Sequence, residues 1–370
     1  HGLPVTPKTL FPIGSATKAF TAMAAAISVD QGKLSFDDSP HKYLPYFKLQ
    51  DPDANSKVQL RDMLSHKTGL ANYTDLPWVV GTLSRQEVIE VVGEAKPTAP
   101  LRAKFQYNNV MFSAAGEVVA AAQKSSYEQV IQDLIFKPLG MNSSDLYVKV
   151  MEKSPDFSRG YEYDKDTKKA RLLPTRDLTA IAAAGAINSN ALDMSRWVRL
   201  MLGGGVFEGK RLVSEKSFHE LVSPQTPLGA GVAYGFGWVL ASWRGHKTIW
   251  HNGGIDGFHS LVDMIPDEHL GFVILSNDQG SQLEGPFTDI IFSNLVSESK
   301  KSGEDAKSTG GMGSGSPLSD AEAKELIASY KNPALTVKLA PVGGKPALVV
   351  EGQPAYPLVE KSKDSLVSTA

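Results

Sequence analysis

The stretch Phe11-Pro-Ile-Gly-Ser-Ala-Thr-Lys-Ala-Phe20 places a serine and a lysine three residues apart at the start of an apolar helix pattern. Residues 19–27 are rich in strong helix formers, and the pattern ends near Gly32, a residue type favoured just past a helix end. Ser15 and Lys18 would then lie one turn apart on one face of a buried helix. A serine hydroxyl becomes a nucleophile when a base takes its proton, and burial can turn a lysine amine into that base. The spacing therefore indicates a nucleophile pair.

The Ser-x-x-Lys pattern is weak by itself, because about two matches are expected by chance in a chain of this length. The sequence contains three of them, which are Ser15–Lys18, Ser39–Lys42 and Ser297–Lys300. The second precedes a proline in a polar turn, and the third leads into a solvated run of lysines and serines. Only the first opens an apolar helix, so other motifs in the chain must decide whether it is catalytic.

The composition limits the classes of partner. A chain of 370 residues has room for one large domain and a smaller module. The net charge of −2 argues against a nucleic-acid-binding surface, and no apolar run approaches the roughly 20 residues of a membrane span. We therefore expect no nucleic-acid partner and no membrane span. The absence of cysteine excludes thiolate catalysis and disulfides but fits either side of a cell membrane, so the compartment stays open, with export as one alternative.

The ends of the sequence and one internal run suggest the domain organisation. Residues 1–7 resemble the end of a hairpin, so we expect further residues upstream. The run 300–317 is rich in glycine and serine and predicts a flexible linker. It would join a large domain, 1–299, to a small and incomplete β module, 318–370.

The hydrophobic periodicity predicts an α/β (α+β) fold. Residues 58–140 read as a largely helical subdomain, and the period then changes to that of strands. Strands are predicted at 235–243, 246–251, 257–265 and 270–275, and the short turns between these strands imply an antiparallel sheet. One closing helix is predicted at 285–297. The expected architecture is an antiparallel sheet flanked by helices.

The run Tyr107-Asn108-Asn109 enters a helix and offers two further polar groups. A tyrosine whose phenolate is favoured by a nearby ammonium can take the proton of a nucleophile and return it to the leaving group. The amide of Asn109 can hold a substrate carbonyl. The alternative is a half-buried aromatic residue beside a helix-capping asparagine, and the run alone favours that alternative.

The run His251-Asn-Gly-Gly254 follows the strand-like residues 248–250. Gly253 and Gly254 would let a substrate lie against the strand edge, and the N–H of Gly254 could join that of Ser15 as an oxyanion donor. A strand-end histidine is otherwise most often structural. A metal site at the three nearby histidines lacks a carboxylate at ligand spacing, so we expect no metal and no cofactor; these histidines are His246, His251 and His259.

Taken in order, these motifs resemble the serine β-lactamase and penicillin-binding-protein superfamily. The closest resemblance is to its class C-like branch, which includes D-aminopeptidases, D-alanyl-D-alanine carboxypeptidases and esterases. It extends over residues 1 to about 297 and includes non-catalytic runs, namely Leu64-Ser-His-Lys-Thr-Gly-Leu70, Ala184-Gly-Ala-Ile-Asn-Ser189 and Gly235-Phe-Gly-Trp238. The tail around Tyr330 resembles the opening of the lipocalin-like module often fused to such hydrolases.

The resemblance implies a role for each residue. Ser15 would be the acylated nucleophile, Lys18 its base partner, Tyr107 the second acid/base group and Asn109 a ligand of the substrate amide or ester. His251 stands where true β-lactamases carry a lysine, and histidine is mostly neutral near pH 7. We therefore expect hydrolysis of esters or of small D-amino-acid peptides and amides. The alternatives are a β-lactamase and a penicillin-binding sensor or scaffold without turnover; the oligomeric state stays open.

Overall fold

The computed structural model describes residues 4–75, 78, 83–164, 166–278, 280–281 and 283–296, and the backbone of five strands beyond them. The chain separates into two compact units, His1–Gly303 and Glu304–Ala370. The predicted linker at 300–317 lies outside the described residues. The predicted domain boundaries at 299 and 318 therefore stay predictions.

The first unit mixes helices with short and long strands. Its α-helices within the described residues are α1 (Thr17–Asp30), α2 (Pro52–Lys57), α3 (Leu60–Leu64), α4 (Arg85–Gly93), α5 (Asn109–Gln123), α6 (Tyr127–Ile131), α7 (Lys137–Leu139), α8 (Val148–Met151), α9 (Ala182–Gly185), α10 (Ala191–Leu202), α11 (Glu215–Leu221) and α12 (Pro286–Leu295). Its strands are β1 (Phe11–Pro12), β2 (Tyr161–Asp164), β3 (Lys169–Leu172), β4 (Asn188–Ser189), β5 (Val206–Phe207), β6 (Lys210–Arg211), β7 (Thr226–Gly229), β8 (Val232–Tyr234), β9 (Val239–Trp243), β10 (His246–Ile255), β11 (Phe258–Ile265) and β12 (Leu270–Ser276).

Helix α1 is buried along most of its length, as its sequence predicts. Its alanines allow close packing against α5, α9 and α11. The ring of Phe20 stacks on that of Trp197, with centroids 3.9 Å apart. The polar Thr21 is satisfied inside this core, because its hydroxyl donates to the carbonyl of Ala183 at 2.7 Å. The residues around Lys18 are therefore buried and densely packed.

The central sheet is antiparallel, with the strand order β12-β11-β10-β9-β8-β7. Helix α10 packs against β11 and β12. This mixed helix and antiparallel-sheet architecture confirms the predicted fold class. Strands β1 and β4 pair separately and hold the chain that enters α1.

Two details of the sheet differ from the sequence-based expectations. Strand β10 does not end near residue 251 but continues to Ile255, with Gly253 opposite Ser260 on β11. Glycine usually weakens a strand, but Gly253 lies directly against another backbone segment, where a side chain would not fit. Strands β7 and β8 lie before residue 235, where the sequence pattern predicts no strand. Most of their residues are exposed or half-buried, so they lack the alternation that marks a strand.

The second unit contains five antiparallel strands that pair in chain order. They are β13 (Ala328–Asn332), β14 (Leu335–Val342), β15 (Lys345–Val350), β16 (Tyr356–Ser362) and β17 (Ser365–Ser368). Its likeness to a lipocalin module stays a prediction. Within the described part of the chain, each helix is too short or too polar to cross a membrane.

Candidate active site

Ser15 lies in a one-turn 3-10 helix, Gly14–Ala16, directly before α1. The turn connects β1 to α1, and Ser15 is partly exposed whereas the residues around it are buried. Gly14 has a φ of +51°, and a Cβ atom there would lie 3.0 Å from the backbone nitrogen of Gly254. Glycine is therefore required for the turn to approach β10 this closely. The result is a partly exposed serine held against a buried core.

The amine of Lys18 is fully buried and contacts three oxygens. Its Nζ lies 3.1 Å from Oγ of Ser15, 2.7 Å from Oδ1 of Asn109 and 2.9 Å from the carbonyl of Ala184. Burial lowers the pKa of Lys18 to about 7, and the charge of Asp75 acts in the opposite direction. A large fraction of this amine is therefore neutral at physiological pH.

A neutral amine has two hydrogens and one lone pair. The Oδ1 atom of Asn109 and the carbonyl of Ala184 can only accept hydrogen bonds, so they take the two hydrogens. The lone pair must then point toward the third neighbour, Ser15, whose hydroxyl can donate. The three contacts thus point the lone pair of neutral Lys18 at the hydroxyl of Ser15.

Tyr107 lies beside this pair and is partly exposed. The Nζ atom of Lys18 is 4.6 Å from the centroid of its ring. Burial raises the pKa of Tyr107 well above its ordinary value, and a hydrogen bond with Ser15 only partly offsets this rise. The expectation that a nearby ammonium would favour the phenolate is wrong, because the ammonium faces the ring and desolvation dominates. Tyr107 is therefore a protonated phenol at neutral pH.

His251 is buried in the middle of β10. Its Nδ1 lies 2.6 Å from the carbonyl of Asn252, and its Nε2 lies 3.0 Å from the hydroxyl of Tyr234. Since a carbonyl can only accept, Nδ1 carries the proton and Nε2 accepts from the phenol. Burial, and then the charge of Lys18, lower the pKa of His251 to about 3. The imidazole is therefore neutral, as the sequence-based argument expected.

The predicted glycines lie where β10 passes the serine turn. Strand β9 pairs with β10 only as far as Trp250, and the following residues contact the turn Gly14–Ala16. A side chain at Gly253 would collide with the carbonyl of Ile13, whereas Gly254 is exposed. The hydroxyl of Ser260 donates to the same carbonyl at 2.7 Å. The strand edge and the turn thus form one backbone wall beside Ser15.

Two residues of the site are not among those that the motifs single out. Asp75 is buried at the end of the 3-10 helix Asn72–Asp75 and accepts hydrogen bonds from Asn109. His66 has a φ of +57°, and its ring lies 4.3 Å from that of Tyr107. The Nδ1 atom of His66 accepts from the backbone N–H of Asn108 at 3.1 Å. His66 belongs to the quoted run 64–70, but nothing in that run indicates which ring it contacts.

The histidines weighed above as metal ligands make other contacts. Among the described residues, no three histidine or carboxylate side chains come together in a way that could hold a metal ion. His259 instead pairs with Glu284 at 2.8 Å, and His246 lies 3.4 Å from Glu268.

The family model described as Beta-lactamase matches residues 1–289. This chain belongs to the beta-lactamase family. The beta-lactamase family is a serine hydrolase family, and the match covers the whole of the site described above. The resemblance of the motifs to this family is therefore confirmed.

Curated relatives of this beta-lactamase family chain include proteins of fungi and bacteria. It is 28% identical over 292 residues to the unguisins hydrolase UngD′ of Aspergillus campestris. It is 26% identical over 275 residues to the protein Flp of Staphylococcus aureus. Each match covers 74% of this chain but only 53% of the relative, so the chain spans about half the length of these relatives.

Solved structures show the same beta-lactamase-type fold. An octameric penicillin-binding protein homologue from Pyrococcus abyssi superposes with a TM-score of 0.71 at 23% identity, over 97% of this chain and 81% of that one. A D-stereospecific amidohydrolase from Streptomyces sp. gives a TM-score of 0.67 at 22% identity, over 78% and 87% of the two chains. At these identities the likeness concerns the fold.

Proposed function

We propose that this chain hydrolyses esters or small D-amino-acid peptides and amides through an acyl-enzyme formed on Ser15. The observation that carries the proposal is the Ser15–Lys18 pair, in which a buried amine with a pKa of about 7 lies 3.1 Å from a partly exposed hydroxyl. A base whose pKa lies near the working pH is the most effective one for removing a proton.

In acylation, Oγ of Ser15 attacks the substrate carbonyl and its proton passes to Nζ of Lys18. The backbone N–H groups of Ser15 and Gly254 stabilise the oxyanion, and Asn109 keeps one amide hydrogen for the substrate carbonyl. The protonated phenol of Tyr107 gives its proton to the leaving alcohol or amine, and the proton on Lys18 restores it. Water then attacks the ester on Ser15, which releases the acid and regenerates the hydroxyl.

The neutral His251 supports the choice of substrate class. A permanent cation at this place would attract the carboxylate of a β-lactam or of a peptide C-terminus. The imidazole, with its pKa lowered to about 3, supplies no such charge near pH 7. The Streptomyces neighbour is named a D-stereospecific amidohydrolase, which is compatible with D-amides as substrates.

The test compares wild type with Ser15→Ala on three substrates: a short-chain nitrophenyl ester, D-alanyl-nitroanilide and a chromogenic cephalosporin. Turnover and intact protein mass are followed together. We expect ester or D-amide turnover in the wild type and none in the variant. A stable mass adduct with the cephalosporin and no turnover of any substrate would favour the penicillin-binding sensor instead. Equal turnover by the variant would remove Ser15 from the mechanism.

A further inference from the structure

Asp75 is a buried carboxylate that lies behind the site and does not contact the hydroxyl of Ser15. Its exposed fraction is 5%. It accepts three hydrogen bonds, from the backbone nitrogen of Asn109 at 2.7 Å, from that of Val110 at 3.1 Å and from Nδ2 of Asn109 at 3.0 Å. Two of these donors are the first N–H groups of α5, where a negative charge is favourable. The third donor belongs to a side chain of the site.

Capping of α5 does not account for this arrangement. The helix already has a capping residue, because Oδ1 of Asn108 accepts from the backbone N–H of Met111 at 2.8 Å. A second buried acceptor at the same helix end costs desolvation, and burial indeed raises the pKa of Asp75 to about 6. The contact that a cap would not require is the one with the Asn109 amide.

That contact fixes which way the amide of Asn109 points. Because its NH₂ group donates to Asp75, its oxygen must face Lys18, where it accepts from Nζ at 2.7 Å. If the amide were flipped, its NH₂ group would face the amine and could donate to the lone pair of neutral Lys18. The lone pair would then be unavailable to Ser15. The orientation of one amide therefore decides whether the amine can act as a base.

We propose that Asp75 is a positioning residue, whose carboxylate holds the Asn109 amide with its oxygen toward Lys18 and so directs the Lys18 lone pair to Ser15. The inference rests on the proposed function, since it assigns the residue that aligns the same base. Asp75 also contributes a negative charge that favours the protonated form of Lys18. The other titratable groups around that amine are neutral rings, those of His66, Tyr107 and His251.

The test measures how fast a fluorophosphonate labels Ser15, with Asp75→Asn compared with the wild type between pH 5 and 9. Intact mass follows the formation of the phosphorus–oxygen bond and the loss of fluoride. We expect labelling to be about 100-fold slower, as for a misaligned catalytic group. The acid limb of the pH profile, where the remaining labelling rate falls with decreasing pH, should also move to lower pH. The reason is that removal of a negative charge lowers the pKa of Lys18. A merely structural role would leave that limb in place.

Asp193→Asn is the matched control. Asp193 is also buried near a helix start and accepts from the backbone of Ser143 and the hydroxyl of Ser144, both at 2.9 Å. It has no hydrogen bond to the catalytic groups, so this variant should lose stability and keep the wild-type rate and pH profile. If Asp75→Asn behaves like the control, the inference is overturned.

A second variant keeps the test decisive if Asp75→Asn does not fold. Asp75→Glu retains the charge but displaces the acceptor atoms, so its labelling should slow while its acid limb stays at the wild-type pH. An unchanged rate in a folded Asp75→Glu would overturn the inference as well. If the wild type itself is not labelled on Ser15, the proposed function fails and this assignment fails with it. If the wild type is labelled and the Asp75 variants are labelled at the same rate, only the role of Asp75 is removed.

Discussion

Lys18 and His251 are two buried bases of one site, and they differ in protonation near pH 7 although burial acts on both. Burial is the largest cause of the lowered pKa in both, which takes Lys18 from 10.5 to about 7 and His251 from 6.5 to about 3. The two decreases are similar in size. The difference in outcome therefore comes from the intrinsic basicity of the side chains, and only the lysine titrates near neutral pH.

This comparison indicates how a histidine on β10 differs from a lysine at the same place. A lysine at that place would bring a second amine toward Lys18, and both would compete for the proton. With His251 the second base stays neutral, and its two nitrogens are occupied by the carbonyl of Asn252 and the hydroxyl of Tyr234. Of these two bases only Lys18 therefore titrates near pH 7, and it has Asp75 as its charged partner.

The largest expected effect is that of Lys18→Met, which removes the titrating base and keeps most of the buried volume. We expect the rate of acylation to fall by at least about 10³-fold, within the range of a lost general base. Fluorophosphonate labelling of Ser15, followed by mass, measures it. Thermal unfolding is the control, since a buried amine is itself unfavourable and the variant should stay folded. Labelling within tenfold of the wild-type rate would mean that another group is the base.

The pH dependence should be the next largest effect. Because Lys18 must be neutral to accept a proton, acylation should decrease as the pH falls below about 7. Between pH 7 and pH 5 we expect a decrease of roughly ten- to hundredfold. Pre-steady-state bursts with a nitrophenyl ester measure the rate. The residual rate of Lys18→Met should not show this limb, and a flat wild-type profile would contradict the assignment of Lys18.

The smallest expected effect is that of Tyr234→Phe, which removes the hydroxyl that donates to Nε2 of His251. The buried acceptor is left unpaired, so we expect a loss of stability of about 1–3 kcal/mol in urea unfolding. Activity should change by only a few-fold, because His251 is neutral with or without this bond.

Tyr127→Phe is the control for Tyr234→Phe, as the buried hydroxyl of Tyr127 lies 2.7 Å from that of Thr21, away from the reacting groups. It should cost a similar amount of stability and leave the rate unchanged. If only Tyr234→Phe abolishes activity, the phenol of Tyr234 takes part in the chemistry and the comparison of the two bases is incomplete.

The sequence predicted the buried helix α1 because its alanines favour a helix and its apolar residues recur at helical spacing. It also predicted the antiparallel sheet from runs of strand-forming residues between short turns. It missed β7 and β8, whose residues are mostly exposed or half-buried, and it ended β10 too early at the glycines. Local patterns predict elements, but they do not show which backbone segments press against each other.

The same division holds for the site. The residue types and their order determined by themselves which hydroxyl, amine, phenol and imidazole to consider: Ser15, Lys18, Tyr107 and His251. Only the tertiary structure decided that Lys18 is largely neutral and that Tyr107 keeps its proton, and it added Asp75 and His66, since desolvation and hydrogen bonding depend on neighbours far apart in the chain. Asp75 and Asn109 are separated by 34 residues, and no local pattern could pair them. The sequence specifies the candidate groups, whereas burial and three-dimensional contacts set their pKa values and their hydrogen bonds.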